Sequence, residues 1–411
     1  MGKKQIIYYS LLAFPLGFLT IPIYIYLPSF YNDNFDISLQ NIGLILLISR
    51  AFDAIIDPIL GIFSDKYQHF KKQIIVISAP FLGIGFILVF HPLATQNITL
   101  WIFCSLFITY FLFSLIQINY QSLAVEIGGD YNQKTRIVAL REAFGVIGII
   151  FASIAPTFLF FYFTEIKSFL FIGIFYFFVI SIFAIIFYYK TPNNLVKINQ
   201  KQITFWDFSF LYNKKLKLLL KIFFFNGCTF AITSSLMLFF VENILNAKSF
   251  SGLFLVLYFF GLLFGIAFFA KISQILNNKE KAWSWSVIAI IIAFSFCSFL
   301  KEGDIVLYAI ICLFSGFFFG GDYCLSYSIL TDIIQSENLK KSNTTIFGVI
   351  NFIIKICLAA TSGILIFWLG WFQENMPEFQ HSFLLISYCL LPCCFKVLTY
   401  FFLKKLQKTY D

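Results

Sequence analysis

The chain contains 411 residues, of which 60% are hydrophobic and 12% charged, and its formal net charge is +9. A soluble domain averages about 25% charged residues and its core stops growing near 250–300 residues, so this composition excludes a water-soluble globular protein. Disorder is excluded by the high hydrophobicity. A membrane β-barrel is excluded because the apolar runs are as long as a spanning helix and do not alternate with polar residues.

Taken in chain order, hydropathy predicts twelve membrane-spanning helices. A polar stretch, 190–221, separates the first six from the last six, which is the plan of a major facilitator-type transporter. We therefore predict an all-α membrane protein with an N-terminal bundle (1–190), a cytoplasmic central loop (191–221) and a C-terminal bundle (222–411). The predicted helices are 6–30, 39–63, 73–91, 99–125, 141–163, 169–189, 222–241, 249–271, 283–300, 305–331, 345–371 and 382–403.

The Lys and Arg residues predict the orientation, because cytoplasmic loops of membrane proteins are rich in them. With the N-terminus inside, twenty-four of the 29 basic residues fall on the cytoplasmic side and three on the outer side. This count includes Lys396, which is expected to extend from the last helix to the cytoplasmic surface. Arg50 and Lys355 remain within helices. The net charge therefore needs no nucleic-acid partner, and both termini are expected in the cytoplasm of a bacterial inner membrane.

The second predicted helix contains three charged residues, Arg50, Asp53 and Asp57, followed by Pro58 and Gly61. The charged residues and Gly61 lie on one stripe of a helix. Charges inside a membrane are costly and usually functional. Two carboxylates one turn apart could bind a small cation or a proton, and Pro58 leaves a backbone carbonyl without its helical donor. The alternative is a static ion-pair cluster that holds helices together.

Other helices contribute polar side chains that could face the same cavity. Adding Asp322 and Lys355 to the helix-2 charges leaves the buried set one positive charge short, so one monovalent cation or proton would neutralise it. This is a hypothesis for coupled transport. The polar residues are Tyr110, Ser114, Gln117, Tyr120 and Gln121 in helix 4, Asp322 in helix 10, and Asn351 and Lys355 in helix 11.

The motif Arg50-x-x-Asp53-Ala54-x-x-Asp57-Pro58-x-x-Gly61 resembles the helix-2 signature of the glycoside–pentoside–hexuronide:cation symporters, the melibiose-carrier-like branch of the major facilitator superfamily. The similarity extends over nearly the whole chain. Further matching segments are Leu27-Pro28-Ser29-Phe30-Tyr31, Gly61-x-x-x-Asp65-Lys66, Lys279-Glu280-Lys281-Ala282-Trp283, Gly320-Gly321-Asp322 and Thr331-Asp332-Ile333-Ile334.

This resemblance implies roles for individual residues. Asp53 and Asp57 would bind the cation, and Arg141 and Lys355 would line the cavity. The implied substrate cavity also contains Arg50, Gln117, Tyr120, Gln121, Asp322 and Asn351. A cytoplasmic gate of pairs that break and re-form would contain Asp65, Glu126, Asp130, Arg136 and Asp332, although Arg136 could equally serve only the positive-inside bias.

The sequence departs from the family at the sugar-binding positions. The helix-1 carboxylate of the family should fall near Gly17, where this chain has no acid, and Gln117 and Gln121 replace the helix-4 acid and the stacking Trp. The cation pair is thus kept while the sugar-specific residues are missing. A different solute and a different coupling ion are both compatible with this pattern.

The sequence therefore predicts a secondary transporter that couples a small polar solute, such as a sugar or related metabolite, to Na⁺ or H⁺. The alternatives are a carrier of lipids, lysolipids or other amphiphiles, an uncoupled facilitator of the same fold, and a receptor or transport-inactive scaffold. An enzyme is not expected, because no paired acid–base or nucleophile set appears. The nine cysteines and three histidines have no metal-site spacing, so we expect no transition metal or cofactor, and partners limited to lipid and solute around a monomer.

Overall fold

The computed structural model describes residues 2–93, 97–192 and 208–409. These residues form twelve long helices, α1–α12, and no strand. Helix α1 consists of Lys3–Ser10, Ala13–Ile21, a π-helical turn Pro22–Tyr26, and Leu27–Phe35. The others are α2 Leu39–Lys66, α3 Lys71–Phe90, α4 Ile98–Ile127, α5 Tyr131–Phe160, α6 Glu165–Lys190, α7 Lys214–Asn243, α8 Ser251–Leu276, α9 Lys279–Ser295, α10 Ile305–Ser336, α11 Asn343–Asn375, and α12, which comprises Pro377–Leu385, a π-helical turn Ile386–Leu390, and Leu391–Gln407.

All twelve predicted helices are present in the described residues, which confirms the all-α prediction. Among the described residues, eleven stretches are long and apolar enough to cross a membrane. Helix α2 has 28 residues and contains Arg50, Asp53 and Asp57.

Helices α5 and α7 begin ten and eight residues before their predicted starts, which is between two and three turns. Helix α5 begins at Tyr131, where the Asp130 side chain accepts a hydrogen bond from the Gln133 amide, 2.9 Å away. Helix α7 begins at Lys214, where Asn213 accepts from the Leu216 amide at 3.0 Å. Hydropathy detects only the apolar part of a helix, whereas these side-chain caps start the polar first turns. Much of the predicted central loop, 193–207, lies outside the described residues.

The chain divides into two compact units. The first comprises Met1–Asp207 and Asn338–Phe352, and the second comprises Phe208–Glu337 and Ile353–Asp411. The first turns of α11 thus pack with the N-terminal helices, and the remainder packs with the C-terminal helices. Each unit has its own apolar core with stacked rings, such as Phe90 on Phe169 at 4.3 Å between centroids in the first and Phe240 on Tyr388 at 4.4 Å in the second.

Glycines allow helices to approach at backbone distance in both units. A β-carbon at Gly148 of α5 would overlap the Phe14 carbonyl of α1, and one at Gly17 of α1 would overlap the Gly145 carbonyl. In the second unit, a β-carbon at Gly316 of α10 would overlap the Tyr258 carbonyl of α8. Small residues serve this purpose in membrane helices, where close packing replaces the hydrophobic drive.

Candidate functional site

The charged stripe of α2 is buried within the first unit. Asp53 is 3% exposed and Asp57 is fully buried. The Ser114 hydroxyl of α4 donates a 2.7 Å hydrogen bond to Asp53 Oδ1. The Arg50 guanidinium lies over the Tyr24 ring of α1, 4.3 Å from its centroid. Three helices thus contribute to the surroundings of the predicted cation site.

Helix α2 packs against the first turns of α11 through two glycines. A β-carbon at Gly61 would lie 2.6 Å from the Thr345 Cα, and one at Gly348 would lie 2.5 Å from the Asp57 carbonyl oxygen. Neither position has room for a side chain. The backbone of Asp57 is therefore held directly against α11.

Asp65, at the end of α2, caps the N-terminus of α11. Its Oδ1 accepts from the Thr344 amide at 2.9 Å, and its Oδ2 accepts from the Thr345 amide at 2.7 Å and the Thr345 hydroxyl at 2.6 Å. A carboxylate is favoured here because the first amides of a helix lack acceptors and carry partial positive charge. Asp65, predicted as a gate residue, thus acts on helix amides, and in the described structure its two oxygens have these three donors.

Two of the predicted cavity amides meet in the first unit. Asn351 Nδ2 of α11 donates to Gln121 Oε1 of α4 over 3.3 Å. Gln117, one turn before Gln121, is half-buried, and Lys355, one turn after Asn351, is half-buried as well. Of the predicted cavity residues, Gln121 and Asn351 are thus in direct contact.

Tyr120 takes part in a reciprocal contact with Tyr9 of α1. The Tyr120 hydroxyl donates to the Tyr9 carbonyl, and the Tyr9 hydroxyl donates to the Tyr120 carbonyl, both at 2.7 Å. Tyr120 is 2% exposed. In the described structure its hydroxyl therefore binds helix α1 within the bundle core.

Arg141 is buried in α5 and pairs with its neighbour Glu142, with 2.5 Å between Nη2 and Oε1 and 2.9 Å from Nε to the same oxygen. Glu142 is the acid that the sequence analysis missed. Glu142 directly follows Arg141 in the sequence, and this adjacency could have indicated the ion pair. Arg141, predicted as the first residue of the fifth helix, lies ten residues inside it, because α5 begins at Tyr131.

Glu126 pairs with Lys71 at 2.7 Å and not with Arg136 or Arg141, and the Lys71 side chain is fully buried. The other predicted gate residues near it have different surroundings. Asp130 caps α5, and Arg136 is exposed. The acid–arginine pairs expected around the connection from α4 to α5 are thus replaced by a lysine at the start of α3.

The second unit repeats this arrangement. Asp332, near the end of α10, pairs at 2.5 Å with Lys279, the first residue of α9, and the Lys279 side chain is fully buried. In each unit a lysine that opens the third helix of a six-helix set pairs with a carboxylate near the end of the fourth. This structural correspondence relates the two halves of the chain.

Asp322 of α10 forms a buried polar cluster with three helices of the second unit. Its Oδ2 pairs with Lys396 of α12, and its Oδ1 accepts from the Trp283 indole of α9. Lys396 also donates to Asn226 Oδ1 of α7 at 2.8 Å. Lys396 is 1% exposed.

The expectation that Lys396 reaches the membrane surface is therefore wrong. Lys396 lies about three turns before the end of α12 at Gln407 and about two turns inside the predicted helix, and this depth was the available sequence signal. Adding Lys396 to the buried set brings its formal sum to zero, so the overall deficit of one positive charge is also wrong. The deficit is local: Arg50, Asp53 and Asp57 together carry one net negative charge on α2.

Among the described residues, no group of His, Cys, Asp and Glu has the geometry of a metal site. What the two units offer is oxygen ligands on α2 and hydrogen-bonding side chains on α4, α10, α11 and α12. Such groups can bind a monovalent cation, a proton or a polar solute. They provide no nucleophile with an adjacent base.

Two bundles of apolar helices with charges buried inside them define an all-α, multi-pass membrane transporter of the major facilitator type. The family described as MFS/sugar transport protein matches residues 8–406, and the chain belongs to this family. The resemblance to the melibiose-carrier-like branch is thereby confirmed. Transporters of this family and fold are not enzymes, which confirms that prediction too.

Solved structures with the same fold include a bacterial homologue of the iron transporter ferroportin in an outward-facing state and the E. coli fucose:proton symporter FucP. Both have a TM-score of 0.73, with sequence identities of 14% and 16%. The likeness covers 98% of this chain and 99% and 98% of theirs. At these identities it shows the fold alone. No curated protein is significantly similar in sequence to this chain.

Proposed function

We propose that the protein is a secondary active transporter that couples Na⁺ or H⁺ to the movement of a small polar solute, a sugar or related metabolite, by alternating access. The observation that carries this proposal is the pair of buried carboxylates on α2, Asp53 and Asp57, with the Ser114 hydroxyl on Asp53. A buried carboxylate requires a compensating charge, a proton or strong hydrogen bonds. The pair is therefore suited to bind and release a cation.

The local charge supports one cation per cycle. Arg50 compensates one of the two carboxylates, so a bound Na⁺ or one proton brings α2 to neutrality. Hard cations prefer oxygen ligands, and Asp53, Asp57 and Ser114 supply them. The Ala54 carbonyl is a further candidate, because Pro58 cannot donate to it.

The polar groups beside this pair would contact the solute. Gln121 and Asn351 already meet across α4 and α11, and the Arg50 guanidinium over Tyr24 could receive a hydroxyl or a carboxylate. FucP, which has the same fold, carries fucose with a proton. A sugar coupled to Na⁺ or H⁺ is therefore the substrate class to test first.

The remaining predicted residues would act in the conformational cycle. Asp65 on the first amides of α11, Lys71 on Glu126, and Lys279 on Asp332 all lie at the helix ends that the Lys and Arg distribution predicts to be cytoplasmic. We expect both termini on that side of a bacterial inner membrane. Breaking and re-forming the Asp65 cap would open and close this end.

The test begins with ion binding in lipid nanodiscs, which needs no known solute. Na⁺ is titrated against choline at constant ionic strength, and the thermal unfolding midpoint is measured at two pH values, since an ion that binds the native state stabilises it. Sodium-dependent stabilisation that Asp53→Asn and Asp57→Asn abolish supports sodium coupling. Asp33→Asn, an exposed carboxylate on α1, is the matched control and should retain the shift.

Transport is then measured in proteoliposomes with radiolabelled fucose and melibiose under an imposed Na⁺ or pH gradient. Solute-driven cation movement that both α2 variants lose supports symport. A pH-driven response without a Na⁺ effect assigns the proton. Two results together would contradict coupling: solute exchange that neither gradient drives, and equal effects of Na⁺ and pH on the unfolding midpoints of wild type and variants. The protein would then be an uncoupled facilitator.

A further inference from the structure

The second unit contains a cavity of about 150 Å³ between α7, α8, α9, α10 and α12. Its lining is mainly apolar and aromatic, and its charged member is Lys396. The cavity is separate from the proposed cation site, because none of its lining residues belongs to the first unit. Representative lining residues are Phe230, Tyr258, Phe294, Phe319 and Tyr388.

Lys396 has a hydrogen-bonding position left for a ligand. An ammonium group has three N–H donors. In the described structure two oxygen acceptors meet it, Asp322 Oδ2 and Asn226 Oδ1, and Phe319 presents only its ring, whose centroid is 5.5 Å from Nζ. A buried donor without an acceptor is costly. A ligand oxygen in the cavity would supply the acceptor.

The lining hydroxyls complement this donor. The hydroxyls of Thr229 and Ser315 donate to carbonyls of their own helices, Phe225 at 3.0 Å and Cys312 at 3.1 Å. Each oxygen is then oriented to accept a further hydrogen bond, because a hydroxyl has two lone pairs. At its polar end the cavity thus offers the Lys396 N–H donor and the hydroxyl of Thr229, one turn from Asn226 on α7, which together match an alcohol group. Ser315 lines the cavity further along, seven residues and about 10 Å from Asp322 on α10.

The charge at this end excludes an ionic head group. Lys396 and Asp322 already neutralise each other, so a carboxylate or an ammonium ligand would bring an uncompensated charge into an apolar site. At the other end, the hydroxyls of Tyr308 and Tyr388 bond to each other at 2.7 Å. Eight residues of α12 separate Tyr388 from Lys396, which corresponds to about 12 Å along a helix.

We propose that this cavity binds an uncharged amphiphile, with its hydroxyl on Lys396 and its apolar body along the aromatic lining towards Tyr388. The site goes beyond the proposed function, since it uses neither Asp53 nor Asp57. It would give the second unit a binding specificity of its own. Its occupant is defined by three features: no net charge, a hydroxyl head and an extended apolar body.

The probes are three compounds with the same chain, octanol, octanoate and octylammonium, added to the full-length protein in nanodiscs. Octanol should raise the thermal unfolding midpoint most, by mass action on the native state. Because all three compounds also enter lipid, Ser315→Phe serves to fill the cavity without changing the ion pair. Ser295→Phe is the matched control, since Ser295 also donates to its own helix, at 2.8 Å to Ile292, and does not line the cavity.

The proposal expects the octanol shift in wild type and Ser295→Phe and its loss in Ser315→Phe. An equal shift in both variants would overturn it, as would octanoate or octylammonium binding as tightly as octanol. The double variant Lys396→Met/Asp322→Asn removes the donor without leaving a lone charge, and octanol affinity should fall about tenfold. Unchanged affinity there would contradict the role of Lys396. If the double variant does not fold, the comparison of Ser315→Phe with Ser295→Phe still decides the site.

Discussion

Asp65 binds Thr345 through both its amide and its hydroxyl, which couples the end of α2 to the first turn of α11. Asp65→Ala removes the acceptor for two helix amides and should destabilise this turn by about 1–2 kcal/mol. Amide hydrogen exchange of 343–352 should accelerate. Asp130→Ala, which removes the cap of α5, is the control and should leave exchange in 343–352 unchanged. Unchanged exchange in Asp65→Ala would contradict the capping role.

The two lysine–carboxylate pairs should behave alike, because each joins a helix start to the end of the next helix. Lys71→Met should destabilise the protein by leaving Glu126 partly buried without its partner, and Lys279→Met should do the same to Asp332. Because the carboxylates retain some exposure, we expect about 1–3 kcal/mol for each, less than for a fully buried pair.

Adding Glu126→Gln or Asp332→Asn to the lysine variant should recover part of this loss. Double-mutant cycles on thermal unfolding measure the two coupling energies. Coupling in one unit and none in the other would be inconsistent with a repeated structural element.

The glycine contact between α1 and α5 should tolerate no side chain. Gly148→Ala would place a methyl group on the Phe14 carbonyl and should lower both the yield of monodisperse protein and its unfolding temperature. Gly43→Ala on α2 is the matched control, because nothing lies within 4 Å of its β-position. That substitution should be neutral or stabilising by up to about 1 kcal/mol, since alanine favours a helix.

The Ser114 hydroxyl should contribute to cation affinity if Asp53 binds the ion. Ser114→Ala removes one oxygen from the α2 site, and the Na⁺ or H⁺ concentration needed for half of the stabilisation should rise about tenfold. Ser105→Ala on the same helix is the control, because that hydroxyl donates to its own helix, at 3.1 Å to Ile102. Equal affinities in the two variants would argue against Ser114 as a cation ligand.

Glu337, which follows α10, should make the start of α7 sensitive to acid. Hydrogen bonds from Lys215 and Asn213 lower the pKa of Glu337 below its ordinary value of 4.5. The stabilisation is therefore complete above pH 4.5 and is lost as the pH falls through the lowered pKa. Because the Glu337 and Lys215 side chains are only partly buried, solvent screens their interaction and the effect should stay below about 1 kcal/mol.

Amide exchange at the start of α7 measures this effect. Wild type should be better protected than Glu337→Gln at neutral pH, and the difference should disappear in acid. Glu302→Gln, an exposed carboxylate outside this contact, should show no such difference. If the difference in amide protection between wild type and Glu337→Gln grew as the pH fell, it would contradict the lowered pKa of Glu337.

Hydropathy and periodicity were sufficient to predict the twelve helices and the buried charges of α2, and the resemblance of the Arg50–Gly61 motif was sufficient to predict the family, because each depends on residues close together in sequence. A charge in an apolar stretch is visible without knowing its neighbours. The starts of α5 and α7 were not predicted, because their first turns are polar and depend on the caps Asp130 and Asn213.

The ion-pair partners of these charges could not be predicted from the sequence, because a carboxylate can pair with any basic residue that the fold brings near. The sequence by itself determined that Asp322 needs compensation in an apolar environment. Only the tertiary structure decided that Lys396 provides it, that Lys71 pairs with Glu126, and that Arg141 is buried beside Glu142. The physical reason is that the cost of burying a charge depends on the residues next to it in the sequence. The group that offsets this cost is brought near by the packing of helices that are far apart in the chain.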